Sequence, residues 1–139
     1  VVHFPDRECR VHTYGNSFTH CDQVSDGESW QEYLGAHLQE PIRNFGIGGY
    51  SVYQAYRRMR KVEEEHPAEY IVLNVWDDDH FRNLDAFWEE FARYKVDIDT
   101  YLDPMYIGHH TPRGNFFFAW ALKDRMCDWL DPKPLPYRT

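Results

Sequence analysis

The sequence predicts an α/β fold, a three-layer α/β/α sandwich with a small parallel sheet. Three observations carry this expectation. Short strand-like runs alternate with segments of helical periodicity, the order that builds parallel strands joined by covering helices. The run over residues 70–76 is β-branched and almost wholly apolar, as a central parallel strand is. Each candidate strand ends in glycine or polar residues, and open α/β sheets hold ligands beyond those carboxyl ends.

The elements follow in order. Residues 1–8 read as an irregular lead-in. Arg10-Val11-His12-Thr13-Tyr14 alternates in polarity and forms a first strand, broken by Gly15-Asn16. Ser29-Trp30-Gln31-Glu32 has capping-box spacing. Trp30, Tyr33, Leu34, His37 and Leu38 recur on one helical face, and Pro41 ends that helix. Residues 42–45 make a second short strand, followed by the glycine-rich turn Gly46-Ile47-Gly48-Gly49. Ser51 caps a helix whose expected apolar face is Val52, Tyr56, Met59 and Val62. Pro67 separates it from the strand over residues 70–76, and Asp77-Asp78-Asp79-His80 comes next. Leu84, Phe87, Trp88 and Phe91 mark another helix, while residues 96–108 carry no clear period. Thr111-Pro112 pairs an N-cap with proline at the first helical position, opening a last helix to about residue 130. Within it, Phe116-Phe117-Phe118-Ala119-Trp120 is expected in the core. The proline-rich tail, residues 131–139, is expected to be non-helical and extended on the surface. The whole chain, residues 1–139, is expected to be one domain.

Composition narrows the partners. A chain of 139 residues with 42% hydrophobic residues is large and apolar enough to bury a core without staples. Its net charge of −8 disfavours nucleic-acid backbones and anionic membranes, so neither is an expected partner. No apolar run approaches the roughly 18 residues that span a bilayer, and no leader-like segment is read at the start. Cys9, Cys21 and Cys127 lack zinc-ribbon spacing and are odd in number. Free thiols are the expectation, with a Cys9–Cys21 bridge as the alternative. Free thiols lean the compartment, otherwise open, toward the cytoplasm.

Three strand ends carry Ser17, Gly49 and residues 77–80, and the predicted topology gathers them on one rim. A serine hydroxyl needs a neighbouring base, and an acyl-transfer intermediate needs donors aimed at its oxyanion. Ser17 follows a strand and a tight turn. The backbone amides of Ser17 and Gly49 are candidate oxyanion donors. His109 stands before the last helix and can return to the same rim as the base. His110 is its neighbour and competitor, but the spacing to Gly114 favours His109.

Gly15-Asn16-Ser17-Phe18-Thr19 resembles the first block of the SGNH (GDSL-like) hydrolases, with asparagine where aspartate is usual. Asn44-Phe45-Gly46-Ile47-Gly48-Gly49 is similar to their second block, and His109-His110-Thr111-Pro112-Arg113-Gly114-Asn115 to their last, in the family's order. The resemblance implies a flavodoxin-like sandwich and a serine esterase acting on small acyl esters, either short-chain esters or acetyl groups on carbohydrate. Neither a cofactor nor a metal is expected.

The chain departs from the family pattern at two positions. Asp78 stands where the family's oxyanion-donating asparagine stands, and a carboxylate cannot donate unless protonated; Asn74 is the candidate replacement. Tyr106 stands where the family places the aspartate behind the histidine; Asp103 is nearby but offset, and a backbone carbonyl is the alternative. Asp79 is a further candidate for supporting the site, by holding the Ser17 or Asn44 loop. Residues 77–80 also read as a solvated or helix-capping acidic loop, or as a metal site. The interval between Asp79 and His109 is short for the family, which suggests a reduced scaffold whose exposed edge a homodimer would cover. Tyr14, Phe18 and Tyr50 flank the site and either contact an acyl group or simply pack. The rival reading is a catalytically silent ligand-binding or structural domain, and a more distant one is a metal-dependent hydrolase centred on residues 77–80.

Overall fold

The computed structural model describes residues 2–76 and 109–138. Within them lie strands β1 (Val11–Tyr14), β2 (Ile42–Asn44) and β3 (Tyr70–Leu73), and helices α1 (Ser17–His20), α2 (Trp30–Leu38), α3 (Val52–Glu65) and α4 (Pro112–Trp129). Single 3-10 turns form at Asp26–Glu28 and Leu135–Tyr137. The expected acidic run at 77–80, the helix around 84–91, Asp103 and Tyr106 lie outside the described residues.

The three strands are parallel, in the order β2-β1-β3. The α/β expectation therefore holds. Among the described strands β1 lies between β2 and the apolar strand β3. The ladder between β1 and β3 runs from Val11 beside Tyr70 to Tyr14 beside Leu73. The Asn74 amide adds one more bond, to the Tyr14 carbonyl at 2.8 Å. Pairing stops there because β1 turns away at Gly15, so Val75 and Trp76 leave the ladder.

Strand alternation divides β1 between two layers. Val11 joins Ile42 on the face covered by α2 and α4, where Trp30, Leu34, Leu38, Ala119, Met126 and Leu130 close the apolar core. Tyr14 and His12 face α3 instead. Both reach the Glu63 carboxylate, His12 through Nδ1 at 2.8 Å and Tyr14 through its hydroxyl. One side of the sheet is thus sealed by hydrocarbon and the other by a polar cluster that satisfies itself, as burial of such groups requires.

The helix boundaries follow their caps. Ser29 accepts from the Glu32 amide and opens α2, which ends at Gln39 in the left-handed region, φ 53°. Glu32 is also a clamp, since its carboxylate accepts from the Val2 and His3 amides at 2.8 Å. The lead-in is accordingly tied down rather than loose. Ser51 and Gln54 form a reciprocal capping box at the start of α3. Of the expected inner face of α3, Val52, Met59 and Val62 are half-buried, whereas Tyr56 is 39% exposed and Ala55 is the buried residue. In α4 the aromatic run splits: Phe118 and Ala119 face the core, while Phe117 and Trp120 are 46% and 51% exposed.

The tail also departs from expectation. It makes a 3-10 turn at Leu135–Tyr137, and Tyr137 packs on the core. Arg10 grips Glu40 through two bonds of 2.9 Å and holds the Pro132 carbonyl at 2.6 Å, which ties the tail to the start of β1. The three cysteines are free thiols. Among the described residues no helix is long and apolar enough to cross a membrane, and no cluster of three metal-ligating side chains forms.

Candidate functional site

The site begins where β1 breaks. Asn16 caps α1, its side-chain oxygen accepting from the Phe18 amide at 2.9 Å, and Ser17 becomes the first helical residue. That turn has little room at Gly15: a Cβ there would sit 2.2 Å from Thr19 Oγ1 and 3.1 Å from Asn74 Cβ. The first helical position also leaves the Ser17 amide without an intrahelical acceptor.

The loop after β2 holds α1 in place. Asn44 donates through Nδ2 to the Thr19 carbonyl at 2.8 Å and accepts from the Gly46 amide at 2.9 Å. A Cβ at Gly46 would lie 2.5 Å from the His20 nitrogen, so this loop rests directly on the α1 backbone. The Ile47 amide donates to the Gly15 carbonyl at 3.1 Å. Gly49 has φ +80°, a conformation glycine takes without strain, with open space around its Cα. From the α2 layer, Gln31 is fully buried and donates to both Thr13 Oγ1 and the Thr19 carbonyl.

His109 arrives from the far end of the chain. Thr111 caps α4 two residues later, accepting from the Gly114 amide at 3.2 Å, and this fixes the approach of the segment. His109 Nε2 lies 2.6 Å from Ser17 Oγ, across 92 residues of sequence. That is hydrogen-bond distance, the geometry that lets an imidazole take a hydroxyl proton. Ser17 is buried, 8% exposed.

Aromatic rings frame the pair. Phe18 stands 4.8 Å from the His109 ring and 5.0 Å from Trp76, centroid to centroid. A cavity of about 260 Å³ opens beside it, lined by Phe18, Asn74, Val75, Trp76, His110 and Phe118. His110 is a wall of this cavity, and burial holds its ring below the ordinary histidine value despite a bond to Asn115. Cys21, one turn beyond Ser17, is no competing nucleophile. Burial pushes its thiol up to about 11.

The structure therefore brings Ser17 and His109 together, puts Asn74 beside Gly15 and in the wall of the Phe18 cavity, and puts Gly49 on the loop clamped against α1. Asp78, Asp79 and Asp103 lie outside the described residues. Of the three flanking aromatics, Phe18 lines the cavity. Tyr14 is fully buried and stacks on Phe45, centroids 5.2 Å apart, so it packs and does not meet a ligand. Tyr50 belongs to a different hollow. Sequence reasoning missed the contribution of Trp76 and Phe118, since both sit in apolar runs that look like ordinary core. It also missed Gln31, whose place on the inner face of α2 was the available signal.

No family model matches the chain, and no curated protein does. Solved structures do show likeness. The chain is similar to the SGNH-hydrolase family esterase AlinE4 at 24% identity and TM-score 0.45, covering 65% of this chain and 57% of that one. It is similar to a G-D-S-L family protein from Desulfitobacterium hafniense DCB-2 at 18% identity and TM-score 0.47, covering 84% and 73%. A member of the lipolytic protein G-D-S-L family from Veillonella parvula DSM 2008 matches at 14% identity and TM-score 0.46, covering 84% and 97%. The chain thus spans 57% of the length of the first of these. All three TM-scores are low, so what the chain does must be read from its own atoms.

Proposed function

We propose that the chain is a serine hydrolase of the SGNH kind that cleaves small acyl esters, short-chain esters or acetyl groups on carbohydrate. The observation that carries this reading is the 2.6 Å approach of His109 Nε2 to Ser17 Oγ. In the reaction, His109 takes the Ser17 proton as Oγ attacks the ester carbonyl. The tetrahedral oxyanion is held by the amides of Ser17 and Gly49. His109 then gives its proton to the departing alcohol, leaving an acyl-serine. Water attacks that ester with His109 again as base, and the acid and free Ser17 are released.

A third oxyanion donor is assigned to the side chain of Asn74. It lines the cavity beside Phe18 and packs against the Gly15 turn, where a carboxamide N–H can serve as Asp78 could not when ionised. The cavity beside Phe18 and Trp76 is small and largely aromatic, which favours a short acyl group over a long chain.

The test is turnover of p-nitrophenyl acetate by the wild-type chain and by Ser17→Ala. The wild type should release nitrophenolate above the buffer rate, and the variant should fall to background while its far-ultraviolet circular dichroism is unchanged. Equal turnover by the two proteins would refute the mechanism.

A further inference from the structure

A second hollow lies outside the chemistry just described. It is formed by the first turns of α3 and the residue before its cap, holds about 430 Å³, and is lined by Tyr50, Tyr53, Gln54, Arg57, Arg58 and Lys61. Arg57, Arg58 and Lys61 meet there in a chain whose net charge is −8, a local inversion of the overall sign. Among the described residues, none of these side chains has a carboxylate within ion-pairing distance, although Arg10 does. Arg57 and Lys61 are also four residues apart on one helical face, where like charges repel. An acidic protein that keeps repelling, unpaired cations around a concave surface is arranged for an anionic ligand.

Two of the cations are pre-positioned. Arg57 donates through Nη1 to the Tyr53 hydroxyl at 3.0 Å, and Arg58 donates through Nε to the Phe45 carbonyl at 3.1 Å. Each guanidinium has five N–H donors, so most remain for a ligand. The location bears on the proposed reaction. Tyr50 directly follows Gly49, and Phe45 directly precedes Gly46, whose Cα rests on the α1 backbone. The hollow and the Ser17 turn are thus attached to the two ends of one glycine loop.

We infer that this hollow is an anion subsite, taking a carboxylate or phosphate group carried on a ring that packs against Tyr53, which is 58% exposed. Bound there, an ester bearing such a group is delivered to Ser17, so acyl esters of acidic sugars or similar anionic alcohols are the substrate class. The delivery step rests on the esterase reading; the anion binding does not.

The experiment therefore has two arms on the full chain. In the first, 4-hydroxybenzoate, phenyl phosphate and the neutral 4-hydroxybenzamide are titrated by calorimetry into wild type and into Arg57→Gln/Lys61→Gln. At least one anion should bind tenfold or more tightly than the amide, and the double variant, folded by circular dichroism, should lose that preference. The stronger of the two anions distinguishes carboxylate from phosphate. Equal binding of anions and amide, or an anion preference that survives the double variant, would overturn the subsite. In the second arm, kcat/KM is compared for 4-acetoxybenzoate and 4-acetoxybenzamide. A tenfold preference for the anion, lost in the double variant, supports delivery, and equal values overturn it. Anion binding with no turnover of either ester leaves the subsite standing and removes the esterase reading.

Discussion

Ser17 is held by a turn that gives it little freedom and lies at hydrogen-bond distance from a histidine ring. In the proposed mechanism its reactivity depends on which of two adjacent rings meets it. His109 is the ring at hydrogen-bond distance, and His110 is a wall of the cavity beside Phe18. The two should separate in kinetics. His109→Ala should reduce kcat by about 10⁴ or more, the scale seen when a serine loses its base. His110→Asn should act mainly on KM, read from p-nitrophenyl acetate saturation curves. Asn74 makes a sharper residue-scale prediction. If its carboxamide supports the oxyanion, Asn74→Ala should cost about 10²–10³ in kcat, with the urea unfolding midpoint little changed. A variant with full kcat would leave that third donor unassigned to Asn74.

At the scale of elements, the glycine loop and α1 act as one unit. Gly46 has backbone where any side chain would go, with the Thr19 carbonyl carbon 2.7 Å from a built Cβ. Gly46→Ala must push the loop off α1, and overpacking of this kind costs roughly 1–3 kcal/mol. Urea unfolding should show that loss, and esterase activity should fall with it because Gly49 and Ser17 move apart. These element-scale features differ in how far the sequence revealed them. The strands, the Ser29 and Ser51 caps and the Thr111-Pro112 helix start were legible, because local propensity and capping chemistry decide them. The nearness of Ser17 and His109 was legible too, from their motif positions in strand–turn–helix context, while their roles as nucleophile and base belong to the proposal. The order β2-β1-β3 of the described strands was not legible, because an apolar run reports burial and not its neighbours in a sheet. On α3 the exposed Tyr56 departs from the expected face because helical spacing alone does not fix which of two neighbours, Ala55 or Tyr56, turns inward. The exposed Phe117 and Trp120 failed expectation for the related reason that aromatic content does not fix orientation.

Across the whole molecule, two layers of different chemistry enclose the sheet, and they should respond differently to pH. The α2–α4 layer is largely apolar, with Gln31 and Asn115 buried in it. The α3 layer centres on Glu63, which burial would push up; the Tyr14 hydroxyl, the Ala68 amide and the His12 ring outweigh that and hold its carboxyl below the usual value. A depressed carboxyl contributes stability above its unfolded value of about 4.3, and that contribution is lost as pH falls through the lower folded value. The wild type should thus unfold at lower temperature on acidification toward and below that range. Glu63→Gln should be less stable near neutral pH by about 1–3 kcal/mol, the cost of disturbing a buried hydrogen-bonded group, and should show a flatter acid limb. His110 adds acid sensitivity of the same sign. Its ring is held below the ordinary value, so stability falls as pH drops below the unfolded value of about 6.5.

The central claim is that His109 makes the Ser17 hydroxyl a nucleophile, and covalent capture tests it most directly. The chain is incubated with an excess of a fluorophosphonate, and the adduct is weighed by intact mass and located by peptide mapping. The account predicts one adduct per chain, on Ser17, and none in the His109→Ala variant. An unmodified wild-type chain at high reagent concentration, or an adduct on another residue, would contradict it and favour a silent binding domain.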